Sequence, residues 1–230
     1  MPTPGLRELE AKLSALSHSE EAIGVVEAFS AGLRRTEDRL AVFNASRALL
    51  RSPILRQDTE PLGFDTPEDA FVLLQGDVVL TEAAFFFGER TAGGPKYIVL
   101  NSSCDLVPGK RQNAALLRVV EIRKSDQDAL QSLSLLLKFK RRDAMYLPVM
   151  PQDAEDVLCN VIDFDGICQI RASDLHLANR LASLTLVGWR IFASLSRAVF
   201  ARANTREIQM RAAIENLPEQ QELGFARLAG

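Results

Sequence analysis

Apolar residues recur at a helical period from the start of the chain, with Leu6, Leu9, Leu13 and Leu16 on one face. Ser17 or Ser19, ahead of Glu20 and Glu21, supplies an N-cap for a second helix whose apolar side is Ile23, Val26, Phe29 and Leu33, with Ala22. Thr36, followed by Glu37 and Asp38, opens a third carrying Leu40, Phe43, Arg47 and Leu50. Residues 1–52 therefore read as an N-terminal helical module, an antiparallel bundle or an arm. Pro53, Pro61, Gly63 and Pro67 make 53–70 a linker.

From Phe71 the pattern changes to short β-branched and aromatic runs: "FVLLQ", "DVVLT", "AAFFF", "KYIVLNS", "NAALLRVVEI", "AMYLPVM", "DVLCNVIDF" and "ICQI". One helix, "DQDALQSLSLLLKFK", interrupts them, with Ser125 as its N-cap. "DFDG" reads as a tight turn between two strands, with Gly166 supplying a positive φ. Crossover helices are mostly missing, so residues 71–175 predict a small antiparallel β-barrel in an α+β fold. Residues 176–217 return to a helical period. Ser183 or Thr185 caps a helix bearing Val187, Phe192, Leu195, Val199 and Phe200, and Thr205 caps another that ends at Pro218. Trp189, Phe192 and Phe200 share a face suited to a core or an oligomer seam, and 218–230 reads as a loose tail.

Composition changes this picture little. With 47% hydrophobic and 25% charged residues the 230-residue chain is of ordinary globular type. The start lacks a signal-peptide pattern, no apolar run reaches membrane-spanning length, and three irregularly spaced cysteines argue against a disulfide framework. A cytoplasmic protein with no membrane contact is expected. The net charge of −3 hides a segregation: Lys96 to Arg142 holds ten Lys and Arg against four Asp and Glu, and Asp143 to Ile170 holds six acids and no base. Such blocks mark either an interaction surface or neighbouring strands whose opposite charges face each other.

The candidate chemistry begins at "YIVLNSSCDL". Cys104 is either a nucleophile, with Lys110 and Arg111 supplying positive potential, or a buried small hydrophobe. Asp105 is placed to cap the turn of "DLVPGK". Cys159, Cys168 and His176 lack the paired spacing of a zinc knuckle, so neither metal nor cofactor is expected. "KFKRRD" gives Lys138, Lys140, Arg141 and Arg142 at a helix C-terminus. With Lys110, Arg111 and Lys124 they form a candidate nucleic-acid-binding set, with Phe139, Tyr97 and Tyr146 as the nearby aromatics.

"GDVVL", a Gly-rich loop and then "GPKYIVLNSS" resemble the opening of the PemK/MazF-type toxin barrel, over residues 76–103. The resemblance implies a Src-homology-like barrel and an endoribonuclease that cuts RNA between an arginine before a proline and a hydroxyl at the strand's end. Here Gly94 stands at the arginine's place, Lys96 lies two residues on, and Ser102 or Ser103 stands for the hydroxyl. "SSCDL", "MYLP" and "ASLTLVGW" are also similar to a group of bacterial proteins with a Cys-Asp pair at a strand end.

These readings favour a binding or regulatory protein of a bacterial toxin–antitoxin or antiviral defence system, engaging nucleic acid or a protein partner and able to self-associate through its helices. The alternative is a PemK/MazF-type hydrolase using Lys96 and Ser102 or Ser103, or a cysteine-dependent one using Cys104.

Overall fold

A computed structural model describes residues 4–16, 21–59, 73–90, 95–201, 209, 210 and 212. Packing divides the chain after Val199, and of the second unit, 200–230, only Phe200, Ala201, Gln209, Met210 and Ala212 are described. The caps expected at Ser17, Ser19 and Thr205, Gly94, most of the 53–70 linker and the 218–230 tail lie outside the described residues.

Three helices open the first unit: α1 (Pro4–Ser14), α2 (Ala22–Gly32) and α3 (Thr36–Phe43). The leucine period of α1 acts as its sequence predicts, since Leu6, Leu9 and Leu13 are all buried. The third helix is shorter than expected. It stops at Phe43, and Leu50–Arg51 forms strand β1. After α4 (Arg56–Thr59) come β2 (Asp77–Leu80), the hairpin of β3 (Phe85–Phe86) and β4 (Glu89–Arg90), β5 (Lys96–Val99) and β6 (Asn113–Arg123). Then follow α5 (Ala129–Leu136), β7 (Ala144–Leu147), β8 (Val157–Arg171), α6 (Ala172–His176), β9 (Asn179–Leu184) and α7 (Leu186–Phe200).

Every strand pairing is antiparallel, in the order β1-β9-β2-β5-β6-β8-β3-β4, with β7 beside β3 on the outer edge of β8. The α+β class holds, but the sheet is open. A barrel closes only when its terminal strands pair along their length. Here β1 and β4 have two residues each and, among the described residues, pair only with β9 and β3.

Strand alternation gives the sheet two cores. Val78, Ile98 and Leu117 point under α1–α3, α5 and α7, where Phe43, Phe192, Leu137 and Met145 complete the larger core. Val79, Tyr97, Val99 and Leu116 point the other way into a smaller core closed by Leu73, Ala84, Leu106 and Leu175.

Three further expectations are corrected. "DFDG" is no turn: β8 runs unbroken past it, and the register with β6 jumps from Leu117↔Ile167 to Arg118↔Asp163. The extra residues form a bulge that switches faces, so Ile162 and Phe164 enter the larger core while Cys168 and Ile170 enter the smaller. Gly166 has no positive φ there. A Cβ would instead lie 3.0 Å from Arg118 Cβ and from Asp163 Oδ2, so close approach explains the glycine. Ser125 does not cap α5, which begins after Asp128, a residue held at φ +62°. Residues 179–184 are strand rather than helix. Thr185, not Ser183, caps α7, its Oγ1 accepting from Gly188 N at 3.2 Å.

Candidate functional site

Gly76 turns the chain into β2 with φ +87°, and a Cβ there would meet Leu184 Cδ1 at 2.6 Å. This tight corner presses Asp77 against β9. The buried Asp77 carboxylate accepts from Ser183 Oγ at 2.5 Å, from Leu74 N at 2.8 Å and from Arg180 Nη2 at 2.8 Å. Ser183 Oγ in turn accepts from Ile54 N at 2.9 Å, and Arg180 Nη2 donates to Ile54 O at 2.7 Å. Burial pushes the Asp77 carboxyl above the usual carboxylate range, against the pull of Ser183, the Leu74 N–H and Arg180.

Beside this cluster lies a cavity of about 290 Å³, walled by Ile54, Leu74, Leu184 and Trp189 and bordered by Ser102 and Ser103. Three stretches singled out from sequence therefore meet: "GDVVL", "SSCDL" and "ASLTLVGW". Most polar atoms around the cavity are already committed. Trp189 Nε1 donates to Gln75 Oε1 at 3.1 Å, Gln75 Nε2 to Leu100 O at 2.8 Å, and Gln75 N to Ser103 Oγ at 2.9 Å. Asp77 is the one ionisable group among the described lining residues, and both its oxygens are taken. Among the described residues neither serine hydrogen-bonds a base: Ser103 Oγ accepts from Gln75 N and Ser102 Oγ lies beside Cys104 Sγ.

Lys96 and Ser102 are not brought together. Lys96 opens β5 and Ser102 lies past its end, six residues of near-extended chain and thus up to about 20 Å away. Lys96 is buried, and its ammonium donates to Glu121 Oε1 at 2.7 Å, Asp153 Oδ1 at 2.5 Å and Asn160 Oδ1 at 2.8 Å. An ammonium has three N–H bonds, so every proton is used. Asn160 Nδ2 and Met150 N donate to Asp153 Oδ2 at 2.6 and 2.8 Å, which locks the cluster between β5, β6, β8 and the turn after β7.

Cys104 is exposed rather than buried, in a 3-10 turn over Ser103–Asp105, with its Sγ 3.1 Å from Ser102 Oγ. A hydrophobe's place belongs instead to Cys159 and Cys168. Burial pushes the Cys159 thiol up to about 12 and raises that of Cys168. Asp105 pairs with Arg111 at 3.4 Å. Among the described residues no group of three or more His, Cys, Asp or Glu side chains is placed to hold a metal.

The basic candidates do not form one surface. Lys110 and Arg111 precede β6 and Lys124 follows it, separated by the length of an eleven-residue strand. Arg141 is bidentate on Asp143, Arg142 pairs with Glu27, and Lys124 Nζ donates to Glu155 O at 2.7 Å. Arg123–Asp156 at 2.8 Å and Lys96–Asp153 join the same two blocks, so part of the segregated charge is paired between them. Lys110, Lys138 and Lys140 have no partner among the described residues. Tyr97, Phe139 and Tyr146, the aromatics expected beside the basic set, are buried in the cores. Exposed rings occur where sequence reading did not place them, at Phe85 and Phe87; three successive phenylalanines before a glycine were the available signal.

No helix among the described residues is long and apolar enough to cross a membrane. An open, mixed-length antiparallel sheet, with α1–α3, α5 and α7 over one face and the short α6 on the other, is the class that the fold defines. The chain matches no protein-family model and no curated protein sequence.

Proposed function

We propose that this is a binding protein that engages nucleic acid without cutting it, in a regulatory role. One observation carries the reading: the cation and the hydroxyl that toxin-type cleavage would use lie at opposite ends of β5, and the cation's protons are all bound in an ion-pair cluster. Such a lysine cannot stabilise charge developing on a phosphate without first breaking a buried network. Lys110, Lys138 and Lys140 supply uncommitted positive charge for backbone contacts. The bacterial toxin–antitoxin or antiviral defence setting rests on the resemblance over residues 76–103.

Incubating the protein with labelled single-stranded RNA, beside Ser102→Ala and Cys104→Ala, tests the non-hydrolytic half. The expected result is intact RNA in every lane. Cleavage by the wild type that either substitution removes would overturn the reading in favour of a hydrolase.

A further inference from the structure

Among the described residues, α1–α3, α5 and α7 cover only part of their sheet face, and the rest of it presents aromatic, amide and cationic side chains. Directly paired residues of antiparallel strands share a face. Along β6 that face carries Val119 and Leu117, both in the larger core, then Ala115 and Asn113, which emerge from it. The β8 partners of Leu117, Ala115 and Asn113 are Ile167, Gln169 and Arg171, all exposed, and Phe85 of β3 pairs with Gln169. Phe85, Phe87, Asn113, Ile167, Gln169 and Arg171 border one groove of about 470 Å³ that, among the described residues, no helix fills and no acidic side chain lines.

Phe87 stands out. It is 90% exposed at the tip of the β3–β4 hairpin, with φ +51° ahead of Gly88 at φ +83°. Two successive positive φ values are those of a two-residue type I′ turn, whose first position ordinarily takes Asn, Asp or Gly. A bulky aromatic there is costly both in backbone strain and in exposed apolar surface. The tight turn in exchange holds the ring in a fixed place at the groove's rim, 4.4 Å from the Phe86 ring, which packs beneath the Arg118 guanidinium.

The polar groups of the groove are equally unspent. Asn113, Gln169 and Arg171 have no side-chain partner among the described residues, unlike most of the charged side chains around the basic and acidic blocks. Two amides and a guanidinium interleaved with two exposed rings and an isoleucine are too polar for an apolar docking patch. They fit unstacked bases lying on rings, with amides on base edges and a cation on the backbone. The absence of acids from the lining and the presence of Arg171, with Lys110 just before β6, match a polyanion.

We propose that this groove binds single-stranded nucleic acid, with a base stacked on Phe87, Phe85 flanking it, and Arg171 on a phosphate. The proposal rests on the nucleic-acid reading above and names the surface and the strandedness. The test is fluorescence anisotropy with fluorescein-labelled 12-nucleotide oligo(U) and oligo(A) RNA and a duplex of equal length, for wild type, Phe87→Ala, Arg171→Ala and Lys138→Ala/Lys140→Ala. Phe87 lies at an exposed tip, so its replacement leaves both cores intact. Phe87→Ala is expected to weaken single-strand binding roughly tenfold. Arg171→Ala should lower the log–log salt slope by about one. Wild type should favour single strands over duplex. Undiminished binding by Phe87→Ala and Arg171→Ala, with loss confined to the double lysine variant, would overturn the groove and leave nucleic-acid binding standing. Absence of binding by wild type would overturn both. Self-association abolished by Phe87→Ala, without RNA binding, would assign the face to a second copy of the chain and overturn the proposal.

Discussion

Lys96 decides how the molecule is read at the scale of single residues. In sequence it is a cation opening a β-strand close to serines, a pattern that fits either a catalytic or a structural lysine. Its three acceptors, Glu121, Asp153 and Asn160, lie far along the chain, so its commitment is legible only in three dimensions. Removing one partner of a buried ion pair leaves the others uncompensated. Lys96→Ala is therefore expected to lower stability by about 3–5 kcal/mol in urea unfolding. A loss below about 1 kcal/mol would show the cluster to be solvent-screened instead. The thiols give an independent check: one of three should react rapidly with a thiol reagent in the native protein, that of Cys104, and all three in denaturant. Two fast native thiols would contradict the assigned burial. At Asp77 the sign follows from its raised folded-state pKa, caused first by burial. The folded chain binds that proton more tightly than the unfolded one, so the contribution is full below the ordinary carboxylate range. It is lost as pH rises through the raised value. Asp77→Asn should remove this component from a plot of Tm against pH, and an unchanged profile would contradict it.

Elements were legible where one local period dominated. α1, α2 and α7 follow from their spacing, because each buries one apolar stripe, whereas β5 and β6 follow from their runs of β-branched and other apolar residues, which fill both cores. β9 was missed: "NRLASL" carries a weak alternation and runs directly into the strong helical period of α7. "DFDG" misled for a related reason. Asp and Gly signal turns, yet pairing with the long β6 keeps β8 continuous and converts the signal into a bulge. Glycines sort by what surrounds them. A Cβ at Gly188 would lie 2.3 Å from the Leu49 carbonyl oxygen, where α7 meets the chain entering β1, whereas one at Gly24 in α2 meets nothing within 4 Å. Gly188→Ala should cost roughly 1–3 kcal/mol as an overpacked contact. Gly24→Ala should add about 0.5–1 kcal/mol through helix propensity. Equal shifts in chemical denaturation would contradict the packing of α7.

For the molecule as a whole, short antiparallel strands without crossovers specify a sheet but not its closure. Closure depends on whether the terminal strands reach each other, and local sequence holds no record of that. Among the described residues, the helices leave part of their sheet face uncovered, and the groove lined by Phe85, Phe87 and Arg171 lies there. The candidate cavity was half legible: "GDVVL", "SSCDL" and "ASLTLVGW" all stood out as motifs, but that they meet follows only from the pairing of β2 with β9. Charge was legible as blocks but not in its pairing: three ion pairs, Lys96–Asp153, Arg123–Asp156 and Arg141–Asp143, join the basic block to the acidic one. What remains uncommitted must carry any polyanion. The most direct measurement is the affinity of the wild-type protein for fluorescein-labelled single-stranded RNA across a series of salt concentrations. The account predicts saturable binding whose logarithm falls linearly with log salt, with a slope of about −1 to −3 for a few phosphate contacts. Binding that is absent at low salt, or present and insensitive to salt, would contradict it.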